Sequence, residues 1–245
     1  MTAGNDDAVL WHDLECGGYA EDLPLWRELA AAAPAGPILD VGAGTGRVAV
    51  DLAARGHEVV ALDADAVLLA ALAERAAAAG TPVRTVAADA RSFALDATYA
   101  LVLVPMQTVQ LLGGAAGRAA FLARARAHLA AGGVLALAIA DARDGVDEER
   151  REPPLPDVRE VGGTLYASRP VALRDEDGAV AIERLREVVD ARGRRRVELD
   201  VVRLDDLDAP TLEAEGRTAG LVPLPRRAIP QTEEYVGSVV VVLGG

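Results

Sequence analysis

Three glycines fall within five residues where an apolar segment gives way to a helix-forming one: Ile38-Leu39-Asp40-Val41-Gly42-Ala43-Gly44-Thr45-Gly46. Glycine has no Cβ, so such a turn can bring backbone N–H groups against a ligand and adopt torsions closed to other residues. Pro37 to Val41 reads as a buried strand, Thr45 to Arg55 as a helix closed by Gly56, and Glu58 to Leu62 as a second strand. That is a βαβ unit with a right-handed crossover, which commits the chain to a parallel α/β sheet. The spacing is G-x-G-x-G, and Arg47 stands where a dinucleotide fingerprint needs its third glycine. On these residues alone, an oxidoreductase using an NAD(P)-type nucleotide stays open.

The alternation continues. Asp65 is placed to cap a helix running to Ala79, with Leu68 and Leu72 on one face, and Val83 to Ala87 is the third strand. Tyr99 to Val104 is apolar throughout, as a parallel strand covered on both faces requires. Ala119 to Leu129 reads as a helix ended by Gly132 and Gly133, and Val134 to Ala140 as a fifth strand. Asp141 to Gly163, charged and containing Pro153, Pro154 and Pro156, reads as a long mobile connection. Asp177-Gly178 and Arg192-Gly193 are turn signals joining three antiparallel strands: Thr164 to Arg174, Ala179 to Val189, and Arg195 to Leu204. In the last of these, Val197, Leu199 and Val201 alternate with Glu198 and Asp200, which predicts one covered face and one wet one.

A helix from Pro210 to Ala219 and strands Leu221 to Arg226 and Ser238 to Leu243 close the chain, and two short helices, Val9 to Glu15 and Leu23 to Ala33, open it. A chain of 245 residues has room for one α/β domain and an appendage. Residues 1–36 then form a helical cap. Residues 37–141 and 206–245 form a Rossmann-like, doubly wound sheet of seven mostly parallel strands with an antiparallel last strand, and 142–205 form a small antiparallel β insertion.

The glycine turn with Asp40 inside its strand resembles motif I of the class I S-adenosylmethionine-dependent methyltransferases. The resemblance extends to Val59-Val60-Ala61-Leu62-Asp63, Ala88-Asp89-Ala90, Val104-Pro105-Met106-Gln107 and Leu129-Ala130-Ala131-Gly132-Gly133, the last with Ala131 in place of a usual proline. It implies S-adenosyl-L-methionine as cofactor. Asp40, Gly42, Ala43, Gly44 and Gly46 would form its turn, Asp63 with Ala64 would hold the ribose hydroxyls, Asp89 with Ala90 the adenine, and Pro105 with Met106 the edge where acceptor meets methyl. Tyr19 resembles a tyrosine that gates the cofactor in small-molecule members. The hairpins resemble the antiparallel lid of that group, which includes sugar N-methyltransferases. The implied reaction is methyl transfer to nitrogen or oxygen of a small molecule. A protein that keeps the cofactor fold without catalysis is the remaining rival.

No catalytic group announces itself; His12, in the cap, and Gln107, after the fourth strand, are the candidates. Gln110 could face substrate beside Gln107. His57, His128 and the Arg192 to Arg196 cluster read as structural or solvated. The net charge of −13 opposes a nucleic-acid partner, and only 3% of residues are aromatic. A single cysteine, Cys16, permits neither an intrachain disulfide nor a cysteine-based metal site, and no metal is expected. Acidic Asp6 and Asp7 stand where a secretory signal needs a basic start. No stretch reaches the roughly 18 apolar residues of a membrane span. The expected setting is cytoplasmic, as monomer or homodimer, with a small-molecule acceptor, no nucleic acid and no membrane.

Overall fold

The computed structural model describes residues 3–145, 155–232 and 235–245. Among the described residues eleven strands form two sheets: β1 (Ile38–Val41), β2 (Val59–Asp63), β3 (Val83–Ala87), β4 (Tyr99–Val104), β5 (Leu129–Ile139), β6 (Asp157–Val161), β7 (Thr164–Glu176), β8 (Ala179–Val189), β9 (Arg195–Asp205), β10 (Val222–Ile229) and β11 (Ser238–Gly244). The larger sheet has the order β10-β11-β5-β4-β1-β2-β3. Strands β1 to β5 run parallel, while β11 lies antiparallel between β5 and β10. The smaller sheet, β6-β7-β8-β9, is wholly antiparallel.

Helices cover the larger sheet on both faces. Leu25 and Trp26 of α2 (Leu23–Ala32), Ala49 and Leu52 of α3 (Arg47–Ala54), and Leu69 and Leu72 of α4 (Ala66–Ala78) pack over Ile38, Leu101 and Leu103. Phe121 and Leu122 of α5 (Gly114–His128) and Leu212 of α6 (Ala209–Thr218) pack on Leu39, Val102 and Leu137. Every residue of β4 is buried, which accounts for its unbroken apolar run. Asp65 does cap α4, accepting from the Val67 and Leu68 N–H groups at 2.8 and 3.4 Å. Leu69 rather than Leu68 shares the buried face with Leu72.

Several boundaries differ from the sequence reading. The first helix, α1, spans Ala3–His12 and passes into a π-helical turn, Asp13–Gly17. Helix α5 starts at Gly114, five residues earlier than expected, because the Asp205 carboxylate accepts the Gly114 N–H from across the fold at 2.8 and 3.0 Å. Its end runs straight into β5: Leu129 pairs with Tyr99, then the register slips so that Val134 pairs with Leu101. Gly132 and Gly133 therefore sit in a strand irregularity and do not stop a helix. Part of the expected mobile connection is strand β6, paired antiparallel with β7; residues 146–154 of that connection lie outside the described residues.

The insertion rejoins the sheet at a buried ion cluster. Arg118 on α5 donates to Asp205 at 2.5 Å and to Glu215 on α6 at 2.7 and 2.8 Å. Gln110 is structural: its amide donates to the Ala140 and Asp205 carbonyls and accepts from the Ala140 N–H, all within 3.0–3.1 Å. His128 also braces the core, its Nε2 accepting from the Leu95 N–H at 2.9 Å.

Candidate active site

The chain reverses its winding between β1 and β4, and in open α/β sheets the ligand crevice opens beyond the carboxyl ends of the strands at that point. The glycine turn leaves β1 there, and Pro105-Met106-Gln107 leaves β4. Met106 holds φ of 55°, the one described residue other than glycine with positive φ, a strained torsion of the kind that collects at functional sites.

Asp40 is 1% exposed, and neither carboxylate oxygen has a hydrogen-bond partner. Burial pushes its carboxyl up to about 7; Arg47 opposes this while Asp22 and Asp63 add to it. An orphaned buried acid beside a glycine turn is a group that a ligand can satisfy. At the end of β2, Asp63 joins the turn to the next helix: its Oδ2 accepts the Gly44 N–H and its Oδ1 the Asp65 N–H, both at 2.8 Å. Gly42 and Gly44 have φ of 73° and 53° and admit no side chain: a Cβ on Gly42 would lie 2.4 Å from Thr108, and one on Gly44 would lie 2.3 Å from the His12 ring.

The cap, not the sheet alone, completes this turn. His12 rests on Gly44, with Nδ1 3.4 Å from the Thr45 hydroxyl, and burial lowers its pKa despite neighbouring Asp13. Asp13 accepts from Thr45 at 2.9 Å and pairs with Arg75 at 2.5 Å. Glu15 faces the other way, into the insertion, accepting from Ser168 at 2.7 Å and from Arg186 at 2.7 and 2.8 Å. Trp11 meets the Tyr166 ring edge-on at 5.5 Å. Arg47, which replaces the third fingerprint glycine, locks the cap down: it donates to Asp22 at 2.5 and 2.8 Å and to the Tyr19 carbonyl at 2.9 Å.

Of the other residues expected at the site, Tyr19 is held by distant partners and Asp89 by a local one. Tyr19 is buried under the Arg47 guanidinium and against Tyr235 at 4.8 Å, and burial pushes its hydroxyl up to about 12. It lines a small cavity with Met106 and Gln107. Asp89 is engaged by Arg91, its own neighbour in sequence, at 2.6 to 3.1 Å, and that pairing holds its carboxyl down at about 2. Ala64 is exposed and Ala90 half-buried, flanking the crevice. Among the described residues no group of three or more His, Cys, Asp or Glu could hold a metal, and no helix is long and apolar enough to cross a membrane.

A cavity of about 400 Å³ lies at the same edge of the sheet. Ile139, Ile229 and Ser238 line it from the core, Val180 and Leu204 from the insertion, with Asp141, Arg143, Asp206 and Asp208 also contributing. A smaller one at Tyr19, Met106 and Gln107 shares Ile229 and Ser238 with it, so the cavity reaches toward the end of β4.

Residues 38–133 match the family model of a methyltransferase domain. The chain carries a class I methyltransferase domain. Solved structures similar to this methyltransferase include an S-adenosylmethionine-dependent methyltransferase from Clostridium acetobutylicum, at TM-score 0.74 and 13% identity, covering 99% of each chain. An amino pentose methyltransferase from Micromonospora echinaspora, involved in calicheamicin biosynthesis, is 25% identical at TM-score 0.70 over 96% of each chain. A sugar N-methyltransferase from Streptoalloteichus sp. is 21% identical at TM-score 0.68, over 97% of this chain and 92% of its own. No curated protein sequence matches the chain.

For this methyltransferase, the raised Asp40 carboxyl has a consequence in pH. The native protein keeps a proton that the unfolded chain loses near pH 4, so this group makes stability fall between about pH 4 and 7 and leaves it level above. Calorimetry of the ligand-free Asp40→Asn variant should show a melting temperature that gains on the parent as pH rises through this window. A difference independent of pH would count against a protonated Asp40.

Proposed function

We propose that this methyltransferase uses S-adenosyl-L-methionine to methylate nitrogen or oxygen on a small-molecule acceptor. The observation that carries it is the joint at the β1/β4 crevice of an orphaned buried acid, a glycine turn and the Asp63 carboxylate, with a small cavity at Tyr19, Met106 and Gln107 past the end of β4. The residues fit the cofactor. Asp63 with Ala64 would take the ribose diol, a carboxylate being able to accept two O–H groups. The turn from Gly42 through Ala43 to Gly46 would support the amino-acid end near Asp40, and Asp89-Ala90 would edge the adenine. When bound, the cofactor supplies its own leaving group, a positively charged sulfur. The chain's work is then to hold an acceptor lone pair in line near Met106, exclude water and accept a proton. Gln107 and His12 remain the candidates for positioning and proton transfer, and the lowered His12 pKa suits a neutral base.

The likeness to an amino pentose methyltransferase and a sugar N-methyltransferase favours an amino sugar as acceptor. The test is a panel of amino sugars against their hydroxyl counterparts, scored by formation of S-adenosylhomocysteine and of methylated product. Turnover of the amines alone supports nitrogen. Tight cofactor binding without turnover of any acceptor would favour a non-catalytic protein, and binding of NADH in place of S-adenosylhomocysteine would restore the oxidoreductase. Asp63→Ala is expected to weaken S-adenosylhomocysteine binding by about 1–3 kcal/mol, from loss of a charged acceptor and of its tie to the Gly44 N–H. Calorimetry showing unchanged affinity in a folded variant removes Asp63 from the site.

A further inference from the structure

The amino ends of the parallel strands, the edge of the sheet opposite the cofactor crevice, hold a further cavity of about 660 Å³. Pro37 ahead of β1, Val59 at the start of β2, Val83 at the start of β3 and Tyr99 at the start of β4 line it. Its rim is fixed by the sheet: the Ile38 N–H donates to the Glu58 carbonyl at 2.8 Å and the Ala100 N–H to the Pro37 carbonyl at 2.9 Å. Tyr99 is wholly buried, and its hydroxyl, closed to water, has no hydrogen-bond partner. Buried polar groups are nearly always satisfied, so an orphaned phenol on a cavity wall marks a group that a ligand can satisfy. The charges that act on that hydroxyl are Arg84 and Glu58, and both line the same cavity. Arg84, exposed on β3, closes no ion pair among the described residues.

We propose that this cavity is a second ligand site, one that takes an aromatic monocarboxylate, its ring against Val59 and Val83 and its carboxylate between the Tyr99 hydroxyl and the Arg84 guanidinium. Val59 and Val83 are paired across β2 and β3 and give the ring an aliphatic wall. The phenol O–H and the guanidinium are both donors, and two donors beside an apolar wall call for an anion with two acceptor oxygens. Glu58, exposed at the same rim, repels a second carboxylate and so selects a monoacid. The volume falls within the range of small-molecule sites. Position separates this site from methyl transfer, whose ligands enter at the carboxyl ends of the strands.

Calorimetry with naphthoate tests this, on the ligand-free chain and on the chain saturated with S-adenosylhomocysteine. Binding should be one to one and equal in both, because the two sites lie at opposite edges of the sheet. Tyr99→Phe and Arg84→Met should each weaken naphthoate at least about tenfold while leaving S-adenosylhomocysteine affinity unchanged, and the parent should bind the neutral naphthamide at least about tenfold more weakly than the acid. Tyr99→Phe should also leave the melting temperature of the ligand-free chain unchanged or raised, since the hydroxyl it removes has no partner. A clear fall would mean that the hydroxyl is satisfied within the fold, and overturns the site. Absence of naphthoate binding overturns it too, as does binding that S-adenosylhomocysteine competes away, which puts the acid in the crevice, or binding that both variants leave intact.

Discussion

Asp22→Ala is expected to cost about 3–5 kcal/mol of stability and to unfasten the N-terminal cap, because it strips one partner from a buried ion pair. Asp22 is fully buried, and its two oxygens serve three donors: both Arg47 terminal nitrogens and the Trp26 indole N–H at 2.7 Å. Alanine leaves the guanidinium with only the Tyr19 carbonyl and ring, and leaves the N–H of a wholly buried Trp26 unpaired. Asp22→Asn keeps size and one acceptor, so it should cost less than alanine. Urea unfolding reads both. Because Asp22 and Arg47 tie the cap to the helix that follows the glycine turn, S-adenosylhomocysteine affinity should fall in parallel with stability. A loss below about 1 kcal/mol would mean that the cap is held elsewhere.

That pair also shows where the sequence stops being informative. Arg47 is legible as the residue that breaks a dinucleotide fingerprint, but its partner lies 25 positions earlier in a segment with no motif, so the reason for the arginine cannot be read from the chain. The sheet itself is legible because hydrophobic period and glycine punctuation are local signals: β1, β2, β3 and β4 fall where the apolar runs place them, and the antiparallel ending is present. Boundaries fail where a distant group sets them. Helix α5 starts at Gly114 on account of Asp205, and the Gly132-Gly133 pair, a helix stop by local rules, is absorbed by a shift of strand register.

The site follows the same division. Positions in the glycine turn and at strand ends are where the motif puts them, but their occupants depend on long-range packing. By motif, a larger residue at Gly44 intrudes on the cofactor; in the structure it meets the His12 ring first, so Gly44→Val would push the cap away from the turn. Asp89 follows β3 as Asp63 ends β2, but its exposed carboxylate pairs locally with Arg91, while Asp63 reaches across to the turn. Gln107 and Gln110 are indistinguishable as loop amides until burial and the Ala140 hydrogen bonds fix Gln110 as a brace. The alternation in β9 predicts one covered and one wet face, but Val197, Glu198 and Leu199 are all exposed and Asp200, Val201 and Val202 all half-buried, so burial follows distance along the strand instead of hydropathy.

Replacing Asp157 to Arg203 by a short Gly/Ser linker is expected to abolish acceptor methylation while changing S-adenosylhomocysteine affinity by no more than about threefold. The insertion supplies Val180 to the wall of the 400 Å³ cavity and packs its polar face on the cap through Glu15. Without it, the acceptor loses the enclosure that aligns its nucleophile and keeps out water, and alignment alone is worth ~7–11 kcal/mol of barrier. The linker must end before Leu204, because Asp205 caps α5 and pairs with Arg118; cutting further would damage the core and confuse the result. Cofactor affinity should survive because the cap keeps its own fastenings to the core, Asp22 to Arg47 and Asp13 to Arg75. Glu15 loses its arginines but gains water, so no buried charge is stranded. A milder variant, Arg186→Met, loosens the cap from the insertion without deleting it and should raise the acceptor KM with the cofactor Kd unchanged. Methylation that persists after the replacement would show that the acceptor is held by the core alone.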